Sequence, residues 1–270
     1  MEHGIFSAIT GCDEARILQI LLNHPDSVFL INSEEYTPLL YAINIRSPPS
    51  IISLLLNEGK SDPNYRVKDG LTAIKLATIR NNTELIETLV NKHGVDVDTP
   101  DANDISPLQY AVRFSSPDTV ETLIRLEADI NRIDERGYNL LHRTILQEYA
   151  YPSKGNSRLK IIDILLNAGI DINETDDINY NTPLILAIIY RTPSIISILL
   201  SRGAAINNIN MKGYTALHYA IEKQDYVTAE LLIEKRGICV RYPPDDPRIS
   251  SIDPRAYDYY FNNSMDIGLL

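Results

Sequence analysis

Cysteine is almost missing from this chain of 270 residues: Cys12 and Cys239 stand far apart, without the paired spacing of a zinc site. That excludes a disulfide-stapled scaffold, and two isolated thiols fit a reducing compartment. No stretch approaches 18 apolar residues, and Met1-Glu2-His3-Gly4 offers no basic flank leading into an apolar run. Neither a membrane-spanning helix nor a secretory leader is therefore expected. Without secretion, the Asn-x-Ser/Thr triplets at Asn81, Asn173 and Asn262 read as chance matches. Basic residues are outnumbered, with 25 Lys and Arg against 36 Asp and Glu, giving a net charge of −11. A phosphate-binding face needs the opposite balance, so no nucleic-acid partner is expected and the acidity is assigned to solubility. Glycine is sparse at 12, and neither a Gly-x-Ser-x-Gly elbow nor a phosphate-cradling glycine loop occurs. Without a nucleophile, base and orienting group at motif spacing, the expectation is a non-enzyme with no cofactor and no metal. At 44% hydrophobic and 23% charged residues, the chain has the composition of a folded protein.

What is abundant is self-similarity. Gly213-Tyr214-Thr215-Ala216-Leu217-His218-Tyr219-Ala220 has relatives at Tyr36-Thr37-Pro38-Leu39, Leu71-Thr72-Ala73-Ile74, Ile105-Ser106-Pro107-Leu108 and Asn181-Thr182-Pro183-Leu184. A weaker copy begins at Tyr138-Asn139-Leu140-Leu141-His142. Marked by the hydroxyl or amide residue, the copies start at 37, 72, 106, 139, 182 and 215, in steps of 35, 34, 33, 43 and 33. The side-chain oxygen at the mark suits an N-cap, and proline beside it suits the first helical position. An apolar pair follows each copy, from Leu55-Leu56 to Leu232-Ile233, and Gly59, Gly94, Gly169, Gly203 and Gly237 are placed to close a second helix. Glu127 takes the glycine place in the Ser106 copy, so that helix is expected to end less sharply.

A fixed period near 33 with a Thr-Pro-Leu-His-x-Ala signature resembles the ankyrin repeat family. The resemblance implies an all-α ankyrin-repeat solenoid of stacked helix-turn-helix units with hairpin loops. Residues 1–240 are expected to form the array, an N-terminal edge unit plus about six repeats. Residues 241–270, opening with Arg241-Tyr242-Pro243-Pro244, are expected to form a Pro-rich bridge and a degenerate C-terminal repeat or cap, or to mark a boundary inside a longer protein. The step of 43 places an excess of ten residues in Gln147 to Arg158, read as a tolerated surface insertion. The alternative makes it a contact loop that uses its tyrosines with Lys154 and Arg158.

The same resemblance implies a monomeric intracellular interaction module, cytoplasmic with the nucleus as the alternative, such as a scaffold, an adaptor or a pathogen effector. A rival reading makes it the targeting part of a longer enzyme. It implies a protein or peptide partner lying along loop tips and first-helix faces. Carried onto this chain, the contact candidates are Tyr36, Arg80, Arg113, Phe114, Arg136, Tyr138, Tyr190 and Tyr214. Aromatic residues and arginine are the types that most often anchor interfaces. The arginines suggest a partner segment carrying carboxylates. Tyr41, Tyr110 and Tyr219 are expected in the core. His142 and His218 are expected to bond locally and tie adjacent loops, and the recurring Asp69, Asp104, Asp129, Asp134, Asp171, Asp176 and Asp177 are expected to form turns.

Overall fold

Side-chain caps start most of the short helices. The Thr37 hydroxyl accepts the Leu40 N–H at 3.3 Å, and Thr72, Ser106 and Thr182 do the same for Lys75, Gln109 and Ile185. At Ser106 the box is reciprocal, because the Gln109 carbonyl oxygen accepts the Ser106 N–H at 2.9 Å. Pro38, Pro107 and Pro183 each open a helix at a position that needs no N–H partner.

The computed structural model describes residues 3–67, 70–114, 116–150 and 155–234. Two compact units divide the chain, Met1–Ile130 and Asn131–Leu270. The first holds α1 (His3–Thr10), α2 (Glu14–Asn23), a 3-10 turn (Pro25–Phe29), α3 (Pro38–Asn44), α4 (Pro49–Asn57), α5 (Ala73–Ile79), α6 (Thr83–His93), α7 (Pro107–Arg113) and α8 (Pro117–Arg125). In the second lie α9 (Leu140–Ala150), α10 (Gly155–Asn167), α11 (Pro183–Ile189), α12 (Pro193–Ser201), α13 (Ala216–Glu222) and α14 (Tyr226–Glu234). Among the described residues every regular element is helical. Both units are built alike: α1, α3, α5 and α7 pack in sequence in the first, and α9, α11 and α13 in the second, each against its own following helix.

Burial follows the repeat. Leu55, Leu89, Leu123, Leu165, Leu199 and Leu232 are fully buried, one from each apolar pair. Ala42, Ala77, Ala111, Ala187 and Ala220 are also sealed and let neighbouring helices approach. Their carbonyls have a second use. Each accepts the N–H five residues on, as Ser47 bonds Ala42 and Thr192 bonds Ala187, which folds the chain back into the next helix. The residue inside that turn is left-handed without being glycine: Arg46, Asn81, Arg191 and Gln224 have φ of 60, 56, 53 and 56°. In the weak copy Thr144 replaces the alanine, and its buried hydroxyl donates to the Leu140 carbonyl at 2.8 Å.

Three expectations are corrected here. Gly94, Gly169 and Gly203 close their helices in the left-handed region as anticipated, but at the Gly59 site it is Lys60 that takes φ 52°. Glu127 adopts φ 67°, and the N–H of Ala128 still reaches the Leu123 carbonyl at 3.0 Å, so α8 ends as sharply as its neighbours. The extra residues of the Asn139 copy extend helices: α9 runs eleven residues and α10 thirteen, against seven and nine for α11 and α12. Arg158, which the alternative reading put on a contact loop, is buried within α10. Tyr151 and Lys154 from that loop lie outside the described residues. So do Gly237 and the 241–270 bridge and cap.

Candidate functional site

The hairpins between repeats share one construction. Five of them open on an Asn or Asp whose side-chain oxygen accepts two backbone N–H groups, closing the loop without a long strand, and the one before α5 opens on Val67. Asn32 holds Glu34 and Tyr36; Asp101 holds Asn103 and Ile105; Asp134 holds Arg136 and Tyr138. Asp176 holds Ile178 and Asn179, and Asn210 holds Lys212 and Tyr214. At the tip one residue is left-handed, and where it is Gly70 or Gly137 the next hairpin lies against its α-carbon. The Arg136 carbonyl accepts the N–H of Asp177, and Asn179 likewise accepts Met211, so successive tips are joined through the backbone.

The inner atoms of the opening residues differ in what they meet. In the first unit, Asp101 Oδ2 receives Lys75 Nζ at 2.5 Å and the Tyr110 hydroxyl at 2.9 Å, with the ammonium 4.5 Å from the Tyr110 ring centroid. Burial pushes the Asp101 carboxyl up, but Lys75, the backbone N–H groups and Tyr110 outweigh it and hold the group at about 2. In the second unit Asp134 pairs with Arg143, whose guanidinium lies 5.3 Å from the Tyr138 ring centroid. Asn210 donates to Asn181 Oδ1 and to the Tyr219 hydroxyl. Asp134 Oδ2 and Asp176 Oδ2 are both buried without a hydrogen-bond donor among the described residues, and of the two Asp134 has the ion pair with Arg143.

The histidines act as expected. His142 is fully buried, and its Nε2 lies 3.0 Å from the Asn181 carbonyl of the following loop, while Nδ1 takes the Asn139 N–H. Burial lowers its pKa, against the opposing pull of the Asn181 bond, Asp176 and Asp134. His218 Nδ1 sits 2.7 Å from the Thr215 hydroxyl.

The candidate contact residues fall in both units. In the first, Tyr36 is half-buried, and Arg80 is half-buried and donates to Asn44. Arg113 and Phe114 are exposed at the end of α7, with Phe114 stacked on Tyr110 at 6.0 Å. In the second, Arg136 is exposed on a tip, while Tyr138, Tyr190 and Tyr214 are half-buried. Tyr214 also stacks on His218 at 5.4 Å. Of the tyrosines expected in the core, Tyr219 is buried, whereas Tyr41 and Tyr110 are half-buried with their hydroxyls bonded to Thr10 and Asp101. Asp134, Asp171 and Asp176 do form turns, and Asp69 lies outside the described residues.

Two features escaped the sequence. The Lys75–Asp101–Tyr110 cluster joins residues from different repeats, and its one signal is Lys75 at the place held elsewhere by His142 and His218. Exposed apolar side chains also stand on the hairpins of the second unit, at Ile133, Ile178, Tyr180, Ile209 and Met211. Among the described residues, no group of three or more His, Cys, Asp or Glu could hold a metal ion, and no helix is long and apolar enough to cross a membrane.

Comparison with known proteins gives a consistent picture. The family model described as ankyrin repeats matches residues 44–134 and 146–242. A fowlpox virus ankyrin repeat protein is 32% identical over 179 residues, 63% of this chain and 49% of that protein. The phosphocholine transferase AnkX of Legionella pneumophila is 25% identical over 154 residues, 57% of this chain and 16% of the transferase. The chain thus spans half or less of these relatives' own length. Among solved structures, the ankyrin repeat domain of Bcl-3 matches with a TM-score of 0.71 at 20% identity, over 85% of this chain and 97% of that one, which is a likeness of fold.

Proposed function

The chain belongs to the ankyrin repeat family, and from that premise we propose that it is a non-catalytic interaction module that binds a protein or peptide partner on its hairpin tips and first-helix faces. The observation that carries this reading is the set of exposed apolar side chains on the hairpins of the second unit. Ile209 and Met211 are 63% and 65% exposed, and Ile133, Ile178 and Tyr180 repeat the pattern on the other hairpins. A single exposed apolar residue needs no explanation, but exposed apolar side chains on three successive hairpins support a surface kept for contact. In the first unit Arg113 and Phe114 supply a second contact point, where an exposed guanidinium beside an exposed ring suits a partner carboxylate. The intracellular setting is part of the same proposal and rests on the cysteine usage.

A second reading is favoured by one comparison. The chain covers only 16% of the Legionella transferase, so repeats like these occur in larger enzymes, and this chain could serve as the targeting part of one.

Affinity capture from a matched cell lysate tests the main reading, using the native chain, R113A/F114A and I178S/M211S. These side chains are exposed, so the melting temperature should stay within a few degrees. The native chain should retain a discrete protein at least tenfold above an inert control, and at least one variant should lose it. Equal capture by all three versions, or none above the control, would sink the reading.

A further inference from the structure

Carboxylates outnumber cations in this chain, and several arginines are paired with them. Arg125 meets Glu87, Arg143 meets Asp134 and Arg202 meets Asp163. At the ends of the first helices of the first unit the pattern reverses. Arg46 stands in the turn after α3, Arg80 caps α5 and Arg113 is the last residue of α7. Arg46 and Arg113 are exposed and meet no carboxylate among the described residues. Arg80 is half-buried and donates to the neutral amide oxygen of Asn44. The stretches that hold these arginines, 44–47, 79–82 and 112–114, contain no acidic residue. The carboxylates closest in sequence to Arg80 and Arg113 are Glu84 and Asp118, which open the second helices α6 and α8.

Because α3 packs on α5 and α5 on α7, the three ends follow one another along one margin of the unit. Packed helices lie about 8 to 10 Å apart, so α3 and α7 are separated by roughly 16 to 20 Å. Three guanidinium groups there set a local positive field in a chain of net charge −11. Apolar surface accompanies it, with Ile45 39% exposed and Phe114 40% exposed beside Arg46 and Arg113. Helix C-termini attract cations on their own account, which gives Arg80 and Arg113 a structural use. Arg46 lies beyond α3 in the left-handed turn, where Asn81 and Gln224 adopt the same backbone without a charge. The turn therefore does not require arginine.

We propose that this margin of the first unit binds an acidic segment of the protein partner, with carboxylates on Arg46 and Arg113 and an apolar side chain on Phe114. This rests on the interaction-module reading above and adds the partner's chemistry at the first-helix faces. Each exposed guanidinium can grip a carboxylate through two parallel hydrogen bonds. An extended segment advances about 3.3 Å per residue, so carboxylates about five or six residues apart would reach both arginines. Arg80 lies between them, held on Asn44, and adds its charge to the middle of the path.

The test measures binding of the full chain to synthetic dodecapeptides with two glutamates and one phenylalanine, the glutamates being set at increasing separations. Binding should peak near a separation of about five or six residues. It should be at least tenfold tighter than for the glutamine counterparts and should weaken as salt is raised. R46Q/R113Q should weaken the best peptide at least tenfold, and F114A should weaken it severalfold. These side chains are exposed, and Gln224 already holds the Arg46 turn position in the last repeat, so melting temperatures should stay within a few degrees. R125Q removes the same charge from α8 and should bind as the native chain does. Equal binding of glutamate and glutamine peptides, full binding by R46Q/R113Q, an equal loss in R125Q, or no binding by any peptide would each overturn this inference. The interaction module has its own readout in the lysate capture. A protein retained there through Ile178 and Met211 leaves the module standing when the peptides fail, and nothing retained in either experiment overturns both.

Discussion

Alanine at Gly137 should cost far more than alanine at Gly213, although both glycines sit at the same place in a hairpin. Their backbone angles are nearly equal, with φ of 71 and 74°. A β-carbon in that region costs about 1 to 2 kcal/mol whatever surrounds it. The surroundings then separate the two. At Gly213 nothing lies within 4 Å of the added carbon, whereas at Gly137 it would stand 2.5 Å from the Asp177 backbone nitrogen. A side chain could swing clear, but that nitrogen is tied to the Arg136 carbonyl at 3.2 Å and belongs to the next hairpin. Relief requires the two loops to part, which adds about 1 to 3 kcal/mol of overpacking and about 1 kcal/mol for the lost bond. G213A is therefore expected at about 1 to 2 kcal/mol and G137A at about 3 to 6 kcal/mol. Urea unfolding of both variants measures the difference, and hydrogen exchange at the Asp177 amide should quicken only in G137A. Equal destabilisation, or an Asp177 amide as protected as in the native chain, would refute the reasoning.

Lys75→Met should destabilise the first unit by about 3 to 5 kcal/mol, because it leaves a buried carboxyl without its counter-ion. K75M/D101N should recover a large part of that in the same melting experiment. Acid should act in two stages. His142 is held neutral by burial below its usual 6.5, so the unfolded chain binds the proton first and stability falls as pH drops from about 7 toward 5. Over that range the melting temperature of the native protein should fall more steeply with pH than that of H142Q. Asp101, held at about 2 against its usual 3.8, contributes stability that is present above pH 4 and is lost between pH 4 and 2. L165A should cost about 2 to 5 kcal/mol, as expected for a fully buried leucine that opens a cavity.

How much the chain announces about itself depends on the range of the interaction. Thr37, Ser106 and Thr182 cap helices that begin one residue later, so composition and spacing were enough to place them. His142 could be placed for the same reason, since the third position after a cap faces the following loop. Left-handed residues were legible only where they are glycine. Arg46, Asn81, Arg191 and Gln224 adopt the same backbone because the turn bonding to the alanine carbonyl demands it, and nothing in their side chains signals it. Glu127 misled for the same reason. Charge misled at Arg158, where a guanidinium reads as surface although its helix carries it inward. Lys75 and Asp101 lie 26 residues apart, and only the stacking of one repeat on the next brings them together.

The lengthening of α9 and α10 has a practical side. Their additional residues leave the loop-to-loop bond between Asp177 and Arg136 and the His142 tie to Asn181 both in place. Growth at that margin therefore leaves the hairpins of the second unit in register. A reporter peptide or affinity tag spliced in between these two helices should be carried without disturbing those hairpins.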